Sequence, residues 1–268
     1  VNLSSLLCRL GNPEKSIPAV HVAGTNGKGS TCRALAQMLT GMGYRVGLFT
    51  SPHLVSINER IQIDGENISE AEFVWAFETV KEKFTQHPSF FEVMFAMAAV
   101  YFREKKCDFV VYETGMGGRL EATNVLMPEL SIITSVGMDH MEYLGDTIEK
   151  IAAEKAGIIK PGIPIIYFKR DEAGAKVIDD TARGQKSPVI PVEKQVYIIN
   201  HLGDKTIDYS LHSRYYSYCN LVIQKTSLYQ LENISLAVMA FYGLMKARNA
   251  SEEDIENGIR ETLPEFYW

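Results

Sequence analysis

The chain has 268 residues, 46% of them hydrophobic, and its 27 Lys and Arg against 33 Asp and Glu leave a formal net charge of -6 at pH 7. That length can bury one large α/β domain or two small ones, and the acidic balance excludes the electrostatic footprint of a nucleic-acid or anionic-membrane binder, so small-molecule partners are expected. Cys8, Cys32, Cys107 and Cys219 are scattered without a C-x-x-C pair, and no uncharged run, Val93 to Phe102 included, approaches the ~20 residues a bilayer span needs; zinc ribbons, disulfide frameworks and membrane-spanning helices are excluded, and a cytoplasmic location is expected.

Leu3, Leu6, Leu7 and Leu10 stand at helical spacing before Gly11-Asn12-Pro13 ends the segment. Ile17 to Val22 reads as a short buried strand, and Thr31 to Met42 as a helix with Leu35, Met38, Leu39 and Met42 on one face. Between them Gly24-Thr25-Asn26-Gly27-Lys28-Gly29-Ser30-Thr31 reads as a phosphate cradle. Its glycines let backbone N–H groups fold around an anion, Lys28 adds positive charge, and the helix start adds its dipole. Ser30 or Thr31 can hold Mg²⁺ beside the phosphates. The general G-x-x-x-x-G-K-[ST] pattern is not met to the letter, because Val22 stands for the first glycine and Gly29 separates Lys28 from Ser30.

A second strand, Gly43 to Phe49, leads into Thr50-Ser51-Pro52-His53, which puts Ser51 at a strand's carboxyl end, where open α/β sheets place ligands. Ser51 can equally be a turn-former. Ile61-Gln62-Ile63 alternates and turns at Asp64-Gly65, and Ser69 with Glu72 makes a capping box for a helix through Phe84. Phe91 to Arg103 is a helix apolar almost all round, hence in the core. Cys107 to Tyr112 is a buried strand that ends in Glu113 and runs into a glycine-rich loop, 114–124; a carboxylate placed there suits a metal and its oxyanion.

Leu130 to Ser135 gives another strand, with Asp139-His140 at its exit. Asp146 is expected to cap a helix with Ile148, Ile151, Ala152, Lys155, Ile158 and Ile159 on one face, so Lys155 fills a slot reserved for an apolar residue. Either its stem snorkels or it is a deliberately buried amine. Gly162 to Phe168 is a strand and Asp171 to Arg183 a weaker helix; from about 191 to 226 short alternating runs indicate a small antiparallel patch. Tyr215-Tyr216-Ser217-Tyr218 suits cross-strand packing better than stacking on a ligand. Gln230 to Lys246 is a strong helix with Asn233 near its start, and Ser251 begins the last one. The fold class is therefore α/β, a mostly parallel sheet covered by helices on both faces, with Gly27-Lys28, Ser51, Glu113 and His140 converging on one sheet edge.

The stretches H-V-A-G-T-N-G-K-G-S (21–30), T-S-P-H-L (50–54), N-E-R-I (58–61), F-F-E (90–92), E-T-G-M-G-G-R-L-E-A-T-N (113–124), D-H (139–140), Y-L-G-D-T-I (143–148), E-K-A-G-I-I-K (154–160) and Y-Q-x-x-N (229–233) resemble, in order, those of the Mur ligase superfamily, and more narrowly the folylpolyglutamate and dihydrofolate synthases. The resemblance implies a P-loop NTPase-like domain over 1–268 and an ATP-dependent amide ligase that joins L-glutamate to a folate or to dihydropteroate through an acyl phosphate. It implies that Gly24, Thr25, Asn26, Gly27, Lys28, Gly29, Ser30, Thr31 and Asn233 bind the nucleotide, and that Ser51, Glu113 and His140 surround Mg²⁺. It further implies catalytic roles for Lys28, His140 and Lys155, the last as an N-carbamate, and a pterin site at Phe91, Glu121 and Ala122.

Glu121 stands where Asp is commoner in the family, residues 170–228 match loosely, and Leu228-Tyr229 replaces the usual Gly-His. The family's smaller Rossmann-like, glutamate-binding domain is expected to lie beyond this chain, which opens on Val1 and stops at an aromatic cluster ending in Trp268. A monomer is expected. The rival readings are another Mur-type amide ligase acting on a different acid, and a non-catalytic nucleotide-binding module.

Overall fold

Short apolar runs buried on both faces make the central strands, as expected for parallel strands sandwiched between helices. The computed structural model describes residues 3–138, 144–193, 196–224 and 227–266. Strands β1 (Ala19–Ala23), β2 (Val46–Phe49), β3 (Ile61–Ile63), β4 (Glu66–Asn67), β5 (Phe109–Glu113), β6 (Leu130–Ile133), β7 (Ile165–Phe168) and β8 (Val189–Val192) form one sheet in the order β4-β3-β2-β5-β1-β6-β7-β8. Strands β2 through β8 in that order run parallel, while β3 pairs antiparallel with β2 and β4 antiparallel with β3.

Helices α1 (Leu3–Arg9), α2 (Lys28–Gly41), α3 (Glu70–Lys81), α4 (Phe90–Glu104), α5 (Ile148–Ala156), α6 (Glu172–Gly184), α7 (Gln230–Lys246) and α8 (Glu252–Thr262) cover both faces. Strand alternation assigns the layers. Val20, Val22, Ile132 and Ile166 pack against α2, α7 and α8 on one face. Ala19, Val110 and Tyr112 meet α1, α3 and α4 on the other, where Ala23, Ile133 and Tyr167 meet the segments around α5 and α6. Helix α4 is buried continuously from Met94 to Phe102. Each large apolar side chain it buries stabilises the fold by roughly 1.5–3 kcal/mol.

Helix starts follow their caps. Ser69 with Glu72 and Ser89 with Glu92 make reciprocal capping boxes for α3 and α4, and Asp171 and Ser251 cap α6 and α8. For α5 the cap is Thr147, not Asp146: the Thr147 hydroxyl accepts the Lys150 N–H, and Asp146, one residue outside, pairs with the Lys150 ammonium at 2.7 Å instead. Ile158 and Ile159 lie past the end of α5 yet remain buried.

The antiparallel patch is a three-stranded sheet of β9 (Tyr197–Leu202), β10 (Thr206–His212) and β11 (Ser217–Gln224). Pro191 and Val192, read from sequence as its beginning, belong to the main sheet, because Val189–Val192 pairs in parallel with β7. Tyr216 and Tyr218 stack at 4.7 Å with Tyr242 of α7 against Tyr216, so this cluster packs the small sheet onto α7. No helix among the described residues is long and apolar enough to cross a membrane.

Candidate active site

The phosphate loop leaves β1 at Ala23 and enters α2 at Lys28. Gly27 sits between them at φ 81°, in the left-handed region that glycine adopts freely, and a Cβ there would fall 2.1 Å from Asn233 Oδ1. Only glycine fits between the loop and α7. The Thr31 hydroxyl, fully buried, donates to the Asn233 carbonyl at 3.3 Å, which leaves half-buried Ser30 as the hydroxyl nearer solvent. Lys28 Nζ folds back over the loop and donates to the carbonyls of Gly24 (3.1 Å) and Thr25 (3.5 Å).

The neighbouring strand braces this loop. Thr25 N–H donates to the Ser135 carbonyl (2.9 Å), Asn26 N–H donates to Ser135 Oγ (2.9 Å), and Thr134 Oγ1 donates to the Asn26 carbonyl (2.6 Å). Thr134 and Ser135 escaped the motif reading. Their signal is two hydroxyls at the carboxyl end of an apolar strand, where ligands of α/β sheets gather.

Glu113 ends β5, beside β1, and is 3% exposed. Its Oε2 accepts the Ser51 N–H at 3.1 Å and lies 3.5 Å from the point where a Cβ on Gly29 would stand. Burial pushes this carboxyl up to about 7, opposed by the charge of Lys28 and the Ser51 N–H. The sheet thus brings Gly24 to Thr31, Ser51 and Glu113 to one edge. Ser51 is held by its own backbone contact; the following turn is shaped by Glu59, whose carboxylate accepts the N–H groups of Leu54 (2.8 Å), Val55 (3.0 Å) and Ser56 (2.8 Å). Arg60, almost buried, donates from Nε to His53 Nδ1 at 2.9 Å and lies over the Phe90 ring. These bonds explain why T-S-P-H-L and N-E-R-I occur together.

A cleft of about 660 Å³ opens beside this edge, lined by Phe91, Glu92, Gly115, Met116, Leu120, Glu121, Ala122 and Glu154 among others. The three residues expected to take the ring, Phe91, Glu121 and Ala122, therefore share one cavity. Glu121 accepts the Gly115 N–H at 2.7 Å and also the Met116 N–H; burial pushes its carboxyl up to about 7, against those bonds and the charges of Lys28 and Lys155. Lys155 is buried on α5, at 2% exposure, so the snorkelling alternative does not hold.

The loop carrying Glu121 docks on the end of α5. A Cβ on Gly118 would stand 2.9 Å from the Glu154 carbonyl, and one on Gly157 2.4 Å from Arg119 Cβ, so both glycines permit a close backbone approach. Arg119 clasps Glu154 Oε1 through Nε (3.0 Å) and Nη2 (2.8 Å). His140, expected beside the metal, lies outside the described residues, as does Asp139. Among the described residues no group of three or more His, Cys, Asp and Glu is arranged to hold a metal ion.

The Mur ligase middle domain matches residues 22–241. The chain is 40% identical, over 271 aligned positions, to the dihydrofolate synthase/folylpolyglutamate synthase of Bacillus subtilis (strain 168), covering 96% of this chain and 62% of that protein. It thus spans less than two thirds of that relative's length. Among solved structures, an FPGS-AMPPCP complex superposes with a TM-score of 0.93 at 32% identity over 99% of this chain and 68% of the other. An FPGS-AMPPCP-folate complex gives 0.91 at 31% identity, over 99% and 67%. With the family model matching most of the chain and the fold superposing on solved FPGS structures, the chain belongs to the Mur ligase middle-domain family, in the company of the folylpolyglutamate and dihydrofolate synthases.

Proposed function

We propose that this chain is the ATP-binding part of an amide ligase that joins L-glutamate to tetrahydrofolate, and also to dihydropteroate, releasing ADP and phosphate. The observation that carries the reading is the contiguity of three features on one sheet edge: the Gly24 to Thr31 loop, the buried Glu113, and the cleft holding Phe91, Glu121 and Ala122. The relatives whose names speak of AMPPCP and folate support the substrate pair.

In this reading the loop N–H groups and Lys28 bind the ATP phosphates, Lys28 exchanging its two carbonyl contacts for phosphate oxygens. The acid's carboxylate oxygen attacks the γ-phosphorus, ADP leaves, and an acyl phosphate forms. The amine of glutamate then attacks the acyl carbon, phosphate departs with the bonding pair, and the new amide nitrogen loses its proton. The protein positions the partners and balances charge. Glu121 would accept the adjacent N–H donors of a pterin edge as a pair, and Phe91 would give its ring a flat apolar wall.

Mg²⁺ fits the residues present. A carboxylate held so far from water is short of counter-charge, and Mg²⁺ commonly takes one or two protein oxygens and completes its shell with phosphate oxygens and water. Glu113 and Ser51, with Ser30, would hold it, and when bound it supplies positive charge to the transferring phosphoryl group. An N-carbamate on Lys155, buried on α5 within electrostatic reach of Glu121, belongs to the same proposal. A cytoplasmic monomer completes it.

The test is phosphate release from ATP by the whole protein with L-glutamate and, in parallel, dihydropteroate, tetrahydrofolate or a UDP-muramoyl acid, with product masses read for one added glutamate. A glutamate adduct on a pterin substrate is expected. Turnover on the muramoyl acid alone would move the protein to another Mur-type ligase, and ATP binding without turnover on any acid to a nucleotide-binding module.

A further inference from the structure

His21 is the one ionisable residue within the apolar run of β1, and strand alternation turns it away from Val20 and Val22 toward the layer that carries the 114–124 loop. It is fully buried, and its Nε2 lies 3.0 Å from Oγ1 of Thr123, itself fully buried. Its Nδ1 has no hydrogen-bond partner. Burial, helped by the charge of Lys160, holds the imidazole down to about 3, so the ring is neutral at working pH. A neutral, buried imidazole is costly to keep in a sheet unless its one bond does something.

The next residue of the same turn is held from the other side. Lys160 Nζ donates to both the carbonyl and Oδ1 of Asn124, each at 2.7 Å, while Asn124 Nδ2 donates to the Arg119 carbonyl at 2.8 Å. Thr123 and Asn124 belong to the short 3-10 turn Ala122–Val125, whose N-terminal flanking residue is Glu121. The two clamps therefore fix the turn that carries the cleft's carboxylate.

We propose that His21 and Lys160 are positioning residues: by clamping Thr123 and Asn124 they set Glu121 and Ala122 in fixed register with the phosphate loop, which leaves the same strand just after His21. The clamp gives a physical role to both ends of two sequence stretches that otherwise look unrelated, His21 at the head of the phosphate loop and Lys160 at the tail of E-K-A-G-I-I-K. Acid recognition and phosphate binding are then referred to one strand, so that a bound carboxylate meets the nucleotide at a set distance. The inference rests on the acid-binding reading of the cleft given above.

The experiment is calorimetric titration of the whole protein with dihydropteroate in the presence of ADP, and separately with ADP, for wild type and for Thr123→Val, Thr123→Ser and Lys160→Met, with thermal melts to confirm folding. Thr123→Val keeps shape and removes the hydroxyl, and Lys160→Met removes the ammonium from a half-buried stem. Each is expected to weaken dihydropteroate about tenfold, the loss of a buried hydrogen bond, with ADP affinity unchanged. Thr123→Ser restores near wild-type binding. Unchanged dihydropteroate affinity in folded Thr123→Val and Lys160→Met overturns the proposal, as does an equal loss of ADP affinity, which marks a merely structural role. A wild-type protein that binds ADP but no pterin overturns the acid-binding reading itself, and the clamp's purpose with it.

Discussion

Lys28 is held over its own loop by two carbonyls and, among the described residues, by no carboxylate at bonding distance, so its charge is placed to meet an incoming phosphate. Lys28→Ala is expected to leave the melting temperature near wild type while turnover falls by about 10²-fold or more, the scale of losing one electrostatic stabiliser of a transition state. A folded variant with near-normal turnover would remove Lys28 from the mechanism. His21 gives a second test. Its ordinary value of 6.5 is lowered to about 3, so between those values the unfolded chain binds a proton that the folded chain excludes. Stability from this group is complete above 6.5 and is lost as pH falls toward 3, at up to about 1.4 kcal/mol per pH unit. In His21→Gln the decline of melting temperature over that window should be shallower than in wild type; equal slopes would show that His21 excludes no proton. At this scale the phosphate loop was legible, because glycines, a lysine and a helix start are local signals. Thr123 and Lys160 were not: nothing in their immediate neighbourhood announces a partner 102 or 36 residues away.

Helices were legible through their caps and strands through their apolar runs, since both depend on a few consecutive residues. The exceptions have local reasons. Asp146 and Thr147 are both good caps, and the choice falls to the residue whose hydroxyl reaches the Lys150 N–H. Strand β8 holds a proline and only one fully buried residue, as suits the edge of a sheet, and so resembles the polar texture that follows it. The docking of the 114–124 loop on α5 lends itself to mutation. Gly157→Ala would put a methyl 2.4 Å from Arg119 Cβ and 2.6 Å from its Cα. A cost of roughly 1–3 kcal/mol is expected, with weakened pterin binding as the loop shifts. Ser69→Ala, which removes the capping box of α3 far from the cleft, should cost about 1 kcal/mol and leave ligand affinities alone. Chemical denaturation paired with calorimetry separates the two. If Gly157→Ala lowers stability and spares binding, the close approach serves the fold alone.

For the whole molecule, the sheet order puts β1 and β5 at the centre, covered on both faces, with β4 and β8 at the edges. Amide exchange should therefore be slowest in Val20, Val22, Val110 and Val111 and fastest among described strands in β4. Protection as strong in β4 as in β1 would contradict a single layered core. Fold class followed from strands alternating with helices, but strand order did not, because pairing is decided by contacts between segments far apart in sequence. The antiparallel turn-back of β3 and β4 beside β2 is of the same kind.

The same order has a meaning for biosynthesis. Of the strands in this sheet β1 is made before the others, yet both its neighbours, β5 and β6, are made long afterwards, and β2, which follows it, waits for β5 as its parallel partner. The nascent chain must therefore carry Ala19–Ala23 and the phosphate loop unpaired until Phe109–Glu113 has emerged, an interval in which an apolar strand is open to chaperones or to misassociation. A stall or truncation placed between α3 and β5 would yield a chain that owns every glycine of the loop and cannot fold it.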